Sequence, residues 1–102
     1  MAEPERRIVW TEPALEELDE IAAYIALDKP MAASKRVARC LKRVERLVEH
    51  PSSGRRVPEL RGNRYLEVIV SPCRIVYRLE GRHVLIVHVV RGEHMLDMSR
   101  LR

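Results

Sequence analysis

Residues 83–90 read His-Val-Leu-Ile-Val-His-Val-Val, a run that is apolar at nearly every position. A strand with one face in solvent alternates apolar and polar residues, whereas a strand covered on both faces does not. The run Val84–Val90 therefore predicts a central strand of a sheet. We expect helices on one face of that sheet and something covering the other.

Two more strand candidates precede this run. They are Tyr65–Val70 and Arg74–Leu79, and the last strand is His83–Val90. The links Ser71-Pro72-Cys73 and Glu80-Gly81-Arg82 favour hairpin turns, because Ser, Pro and Gly are typical turn residues. Residues 54–63, which hold several arginines together with Gly and Pro, predict a loop before the first of these strands.

A short strand and two helices are predicted upstream. Residues 7–10 favour a strand, and Thr11 has the hydroxyl of a helix N-cap, with Pro13 in the first turn. The first apolar stripe at helical spacing ends near Leu27 and consists of Leu15, Leu18, Ile21, Ala22 and Ile25. The second begins after Asp28-Lys29-Pro30, is stopped by residues 50–54, and consists of Ala33, Val37, Cys40, Leu41, Val44, Leu47 and Val48. The short link makes the two helices an antiparallel hairpin.

These elements predict an α+β fold in the order β-α-α-β-β-β. An N-terminal strand and an antiparallel two-helix hairpin pack on one face of a twisted, mainly antiparallel β-sheet. The chain has 102 residues, which suits one domain over residues 1–102 with a C-terminal tail at about 92–102. We expect a cytoplasmic protein, because the sequence has no signal-peptide pattern, no run long enough to span a membrane, and only two cysteines.

Charge is unevenly distributed along the chain. Residues 1–27 hold two basic and seven acidic groups, a net of −5, whereas residues 28–102 hold 17 basic and eight acidic groups, a net of +9. The basic face of the second helix is expected to be solvated and to pair with the acidic first helix. A nucleic-acid surface is the alternative interpretation, although few aromatic residues are present to stack on bases.

Candidate chemistry is limited to one set of basic side chains. The four histidines and two cysteines have no metal-ligand spacing, and we expect neither a metal nor another cofactor. The basic set consists of Arg61, Arg64, Arg74, Arg78, Arg91 and His94. In a ribonuclease, such arginines would stabilise the charge on a phosphorane and His94 would act as an acid or base. The alternative is a basic sheet surface that binds an acidic partner or water.

The ordered pattern resembles the RelE/ParE toxin superfamily of bacterial toxin–antitoxin systems. The residues that carry it are Ile8-Val9-Trp10-Thr11, Ala14, Leu18, Ile21, Tyr24-Ile25-Ala26, Pro30, Ala33, Leu47, Pro51, Gly54-Arg55, Tyr65-Leu66-Glu67-Val68 and Arg74-Ile75-Val76-Tyr77-Arg78. The resemblance covers residues 7–91 and implies a helical hairpin on a twisted sheet. It also implies a cognate ParD-like antitoxin that wraps the chain.

The superfamily divides by target, and the sequence resembles the ParE-like branch. RelE-like members cut messenger RNA on the ribosome, with basic sheet residues and a tyrosine or histidine near the C-terminus. Ile69 and Val70 stand where those nucleases place an arginine, and residues 91–98 contain no tyrosine. The entry to the first helix, residues 10–14, also looks ParE-like. The resemblance therefore implies a toxin that inhibits growth by binding DNA gyrase, with no catalytic residue favoured.

The resemblance to ParE-like toxins implies that separate residues contact the antitoxin and the target. Antitoxin contacts are predicted at Leu85, Val87 and Val89, because the two-sided apolar strand is expected to leave an exposed patch. Target contacts are predicted at Arg61, Arg64, Arg78, Arg91 and His94. DNA contact is expected only through the antitoxin or a gyrase complex. One alternative is a RelE-like, ribosome-dependent messenger endoribonuclease that uses Arg74, Arg91 and His94; another is a degenerate member that keeps only antitoxin binding.

Overall fold

Two helices and five strands are present in the computed structural model, which describes residues 6–60, 64–91, 96 and 101. In chain order they are β1 (Arg7–Trp10), α1 (Glu12–Ala26), α2 (Pro30–Glu45), β2 (Arg55–Arg56), β3 (Leu66–Val70), β4 (Cys73–Glu80) and β5 (His83–Arg91). The predicted α+β class and the order of the main elements are confirmed.

The strands form one sheet in the order β1-β5-β4-β3-β2. The pair β1–β5 is parallel, and the other three pairs are antiparallel. The position of β5 between β1 and β4 confirms the central strand predicted from its apolar run. The ladder between β4 and β5 shifts register, because Val76 lies opposite His88 and Tyr77 lies opposite Ile86. Val87 is therefore an extra residue in β5, as in a β-bulge.

The hairpin of α1 and α2 begins at the cap predicted from the sequence. The Thr11 hydroxyl oxygen accepts a hydrogen bond from the Ala14 backbone N–H and donates one to the Ile86 carbonyl, 2.9 Å away. It thus satisfies a free helical N–H and ties the start of α1 to β5. Helix α2 ends at Glu45, and residues 46–49 form turns. The apolar stripe reaches past this end because Leu47 still packs in the core.

Apolar clusters cover both faces of the sheet. The larger cluster lies between the helices and the sheet, where α1 and α2 meet the inward side chains of β3, β4 and β5. The smaller cluster lies on the opposite face and consists of Val57, Tyr65, Val76 and Val87, with Leu60, Leu85, Leu96 and Leu101 packed against them. The cover on the second face is therefore formed by Val57, Leu60 and Tyr65 together with Leu96 and Leu101 of the C-terminal tail.

The segment predicted as a loop over residues 54–63 contains a short strand. Arg55 and Arg56 pair with Glu67 and Leu66 as β2 at the edge of the sheet. The Tyr77 hydroxyl holds the preceding residues, because it donates to the Pro51 carbonyl at 2.7 Å and accepts from the Gly54 N–H at 3.0 Å. Two adjacent arginines have no apolar alternation, so the strand depends on these tertiary contacts and not on local pattern.

The predicted ion pairing between the two helices is wrong. Among the residues that the structure describes, none of the ion pairs joins α1 to α2. The small side chains of the two helices face each other instead, and the charged side chains point away from that contact. Within the described part of the chain, no helix is both long and apolar enough to span a membrane.

Candidate functional site

The arginines of the predicted basic set lie on different faces of the sheet. Arg74 and Arg78 alternate with the inward-facing residues of β4, so their side chains lie on the face away from the helices. Arg91 lies opposite Cys73 at the end of β5, and its guanidinium is 4.5 Å from the centre of the Tyr24 ring in α1. Arg91 thus belongs to the helix side of the molecule, and the structure does not bring it together with Arg74.

Arg74 is part of a compact charge cluster with Glu67 at its centre. The Glu67 side chain is 0% exposed, and its carboxylate accepts from Arg55 Nε at 2.7 Å and from Arg74 Nε at 2.8 Å. Arg74 also donates from both terminal nitrogens to Glu59, at 2.8 Å each. The cluster holds two guanidinium and two carboxylate groups, so its formal charges cancel.

The electrostatics of the cluster follow from these contacts. The hydrogen bonds from Arg74 lower the pKa of the Glu59 carboxyl, because they stabilise its charged form. Hydrogen bonds to Glu59 and Glu67 raise the pKa of Arg74 in return. All three guanidinium nitrogens of Arg74 donate to carboxylates, and its charge is balanced within the chain.

Of the four remaining members of the basic set, two are described by the structure. Arg78 forms an ion pair with Glu80, two residues along the same strand. Arg64 is exposed just before Tyr65. Arg61 and His94 lie outside the described residues, so the predictions for these two positions have no structural counterpart. The described members of the basic set are therefore spread over both faces of the sheet rather than gathered into one pocket.

A buried carboxylate–histidine pair joins α1 to β5. Glu17 Oε2 lies 2.8 Å from His88 Nδ1, and Glu17 Oε1 accepts from the Val89 N–H at 3.0 Å. Strand β1 pairs with β5 only as far as Ile86, so Glu17 supplies an acceptor where the parallel ladder has ended. The sequence does not predict this pair, because the neighbouring carboxylates of α1 are exposed and nothing in the sequence distinguishes Glu17 from them.

The two cysteines are neighbours in the core. Cys40 of α2 and Cys73 of β4 are both buried and reduced. Hydrogen bonding with Cys73 and burial raise the pKa of the Cys40 thiol, so Cys40 is held as a thiol. Within residues 6–60, 64–91, 96 and 101, no group of three or more ligand side chains is placed to hold a metal ion.

The apolar strand predicted to be exposed to an antitoxin is covered by the chain itself. Val87 is 0% exposed and Val89 is 2% exposed, while Leu85 is half-buried. Val89 packs in the helix-side cluster, and Leu85 and Val87 pack against Val57 and the tail leucines. The expectation of an exposed patch is wrong, because the sequence did not reveal that Val57, Leu60 and Tyr65, with two leucines of the tail, would pack over this face.

The exposed apolar surface lies on the helical hairpin instead. Leu27 is 86% exposed and Met31 is 75% exposed at its tip, Tyr24 is exposed near the end of α1, and Leu41 is exposed further along α2. A groove of about 560 Å³ runs between the helices and is lined by Ala22, Ala23, Ala26, Pro30, Ala33, Ser34, Val37, Ala38 and Leu41. Leu27 and Met31, which flank the Asp28-Lys29-Pro30 link, are the sequence signal that could have located this surface.

Comparison with known proteins agrees with the fold. A sequence profile of the family described as ParE toxin of type II toxin-antitoxin system, parDE, matches residues 8–96. The chain is 44% identical over 87 residues to Y4kP of Sinorhizobium fredii, which is named as a proposed toxin, covering 85% of this chain and 88% of that protein. It is 32% identical over 90 residues to Toxin RelE2 of Caulobacter vibrioides, covering 86% of this chain and 93% of that one.

A solved structure shares the architecture. The chromosomal ParDE toxin–antitoxin system from P. aeruginosa contains a chain that superposes with a TM-score of 0.72 at 22% sequence identity, covering 87% of this chain and 97% of that chain. The resemblance to the RelE/ParE toxin superfamily seen in the sequence is confirmed. The extent of the profile match and the similarity of both relatives place the chain in the ParE toxin family of type II toxin–antitoxin systems.

Proposed function

We propose that this toxin inhibits DNA gyrase by binding to it, and that a cognate antitoxin neutralises the toxin. Inhibition by binding, rather than by RNA cleavage, is supported by the balanced charge of one cluster on the sheet. The cluster is formed by Arg55, Glu59, Glu67 and Arg74. Of the predicted target contacts that the structure describes, Arg64 is exposed, while Arg78 and Arg91 are half-buried. Binding requires such surface groups only to be accessible, not to converge on a reacting atom.

The charge cluster argues against RNA cleavage at the sheet. A nuclease arginine must approach a phosphate whose negative charge grows in the transition state. Arg74 is already held by two carboxylates, so a phosphate would meet Glu59 and Glu67 as well as the guanidinium. Arg91 lies on the other face of the sheet, against Tyr24. One phosphate therefore cannot contact both arginines of the nuclease interpretation in this arrangement.

Paired activity assays test the proposed target. The purified chain is added to a gyrase supercoiling reaction and, separately, to ribosomes carrying a defined messenger. We expect a dose-dependent loss of supercoiling and an intact messenger. Addition of the antitoxin before the toxin should restore supercoiling. Messenger cleavage with unimpaired supercoiling would reject gyrase as the target.

The ribosome-dependent endoribonuclease is kept as a second candidate because one relative carries the name Toxin RelE2. It predicts that His94→Ala abolishes messenger cleavage while antitoxin binding survives. His83→Ala is the matched control, since His83 is an exposed histidine at the start of β5. Equal activity of both variants would reject His94 as the acid or base. Growth that is indifferent to the toxin without antitoxin would indicate a degenerate member instead.

The antitoxin is proposed to dock first on the helical hairpin. A groove lined by small side chains lets a partner backbone approach closely, and the exposed Leu27 and Met31 offer apolar anchors at one end. The predicted contacts at Leu85, Val87 and Val89 remain a proposal. Contact at Leu85 and Val87 requires the apolar residues that cover them to move, and Val89 is packed beneath the helices. The hairpin requires no such rearrangement.

Co-purification with the neighbouring open reading frame tests this docking site. Leu27→Asp combined with Met31→Asp should weaken the complex at least 10-fold, because a buried aspartate would be left unpaired in the interface. Ile69→Asp is the control, since Ile69 is also an exposed aliphatic residue but lies on the sheet. An equal loss in both variants, or no loss in either, would contradict docking on the hairpin.

A further inference from the structure

The outward side of α2 is a surface of cations without carboxylates. At about 100° per residue, five cations of α2 and the C-cap residue Arg46 fall within an arc of about 120°. They are Lys35, Arg36, Arg39, Lys42, Arg43 and Arg46. Four of them, Lys35, Arg39, Lys42 and Arg46, are exposed. We name the six residues the basic face of α2; it lies on the side of the helix away from α1.

The charges of this face are not balanced within the described part of the chain. None of the six forms an ion pair with a described carboxylate. Arg36 instead donates to the Ser71 carbonyl, and Arg43 donates to the Ser53 hydroxyl at 3.2 Å. These two contacts are with neutral groups, so they fix the inner edge of the face and leave its charge intact. This contrasts with Arg74, whose charge is cancelled by Glu59 and Glu67.

The spacing of the exposed cations fits a phosphate backbone. Lys35 and Arg46 are 11 residues apart, which corresponds to about 16 Å along a helix that rises 1.5 Å per residue. One strand of B-form DNA carries a phosphate every 3.4 Å or so along its axis, so this length spans about five phosphates. Arg56 is a further exposed cation, opposite the helix-side residue Leu66 on the edge strand β2.

The composition of the face distinguishes a nucleic acid from an acidic protein. Stable protein interfaces bury an apolar core with aromatic anchors, and lysine is depleted from them. The arc of the basic face holds Ala32 as its apolar residue and no aromatic side chain. Contacts to phosphates require only charge and hydrogen-bond donors. The lack of aromatic side chains disfavours single strands, which bind largely by stacking.

We propose that the basic face of α2 binds the phosphate backbone of duplex DNA, with little preference for sequence. The inference does not depend on gyrase being the target, because it concerns a surface of the toxin alone. It differs from the expectation that DNA is reached only through the antitoxin or a gyrase complex. The groove between the helices lies on the other side of α2, so a partner in that groove leaves the basic face open.

Fluorescence anisotropy tests this proposal. A labelled duplex of about 20 base pairs is titrated with the full chain, and a dissociation constant in the non-specific range of about 1–100 μM is expected at physiological salt. Between about 50 and 200 mM salt, the logarithm of the binding constant should fall with a slope between about −3 and −5. Each phosphate contact contributes about −0.9 to this slope. The variant R39Q/K42Q/R46Q should therefore bind at least 10-fold more weakly, with a slope shallower by about 2.7.

The matched control is R7Q/K29Q/R82Q, which removes two arginines and one lysine at exposed positions off the basic face. It changes the net charge equally and should alter affinity less than about 3-fold, since only local contacts are lost. Circular dichroism checks that both variants keep their helices, which glutamine tolerates well. Equal weakening by the two variants would overturn the proposal. Tighter binding of labelled poly-glutamate than of the duplex at the same salt would also overturn it, and would assign the face to an acidic protein.

Discussion

The carboxylate of Glu67 lies fully buried between Arg55 and Arg74, on the face of the sheet away from the helices. A buried charge is tolerated only when it is paired and hydrogen-bonded, and Glu67 meets both conditions. Arg74 in turn holds Glu59 of the covering segment. The cluster thus fastens residues 55–59 to β3 and β4, which is a structural role.

Removing the charge at Glu67 should be strongly destabilising. Glu67→Gln leaves two guanidinium groups beside a neutral amide in a buried site, and we expect a loss of about 3 kcal/mol in the free energy of unfolding. Urea unfolding followed by circular dichroism measures this. Glu80→Gln, which breaks the exposed pair with Arg78, should cost less than about 1 kcal/mol. Similar losses in the two variants would contradict the structural role of Glu67.

The contribution of Glu59 should depend on pH. Arg74 lowers the pKa of Glu59 from its ordinary value of 4.5, so the ion pair stabilises the fold above that pH and is lost as the pH falls through the lower pKa of the folded state. The stability difference between the wild type and Glu59→Gln should be full at neutral pH and vanish in acid. Unfolding midpoints measured across this range check the sign. A difference that grows as the pH falls would contradict it.

At the scale of elements, the helices and the three long strands could be predicted because their signals are local. Thr11 caps α1 as expected, and the apolar stripes repeat at helical spacing. Strand β2 could not be predicted, since Arg55-Arg56 has no pattern and forms only by pairing with β3. The burial of Leu85 and Val87 could not be predicted either, because it depends on tertiary contacts. Leu96 and Leu101 pack on this face of the sheet, and such contacts are not reflected in local periodicity.

Tyr77 is predicted to hold the connection from α2 to β2. Tyr77→Phe removes the donor to the Pro51 carbonyl and the acceptor for the Gly54 N–H, and should lower the free energy of unfolding by about 1–3 kcal/mol. In this variant, amide hydrogen exchange should be faster at residues 51–56 than in the wild type, and this increase should exceed any increase in the other strands. Tyr24→Phe, at an exposed ring, is the control and should cost less than about 0.5 kcal/mol. Unchanged exchange at residues 51–56 would contradict this anchoring role.

At the scale of the whole molecule, the fold determines where each charged or apolar surface lies. The sequence identifies the residues of these surfaces but not their relative positions. The apolar groove of the hairpin and the basic face lie on opposite sides of α2. On the sheet, Arg55, Arg74 and Arg78 are held by carboxylates, and Arg91 lies against Tyr24. The predicted site residues Arg74 and Arg91 were identifiable as basic sheet residues. Their separation was not, because it depends on which partners the three-dimensional fold brings to each one.

The proposed binding of the toxin to gyrase is tested by a measurement of cleaved DNA. Plasmid, gyrase and ATP are incubated with the full chain, and the reaction is stopped with detergent and protease to reveal any broken strands. We predict that linear DNA accumulates as supercoiling is lost, because the toxin holds a cleaved intermediate, and that antitoxin added beforehand prevents both changes. Supercoiling at the same rate as in the toxin-free reaction, with no linear DNA, would contradict the account.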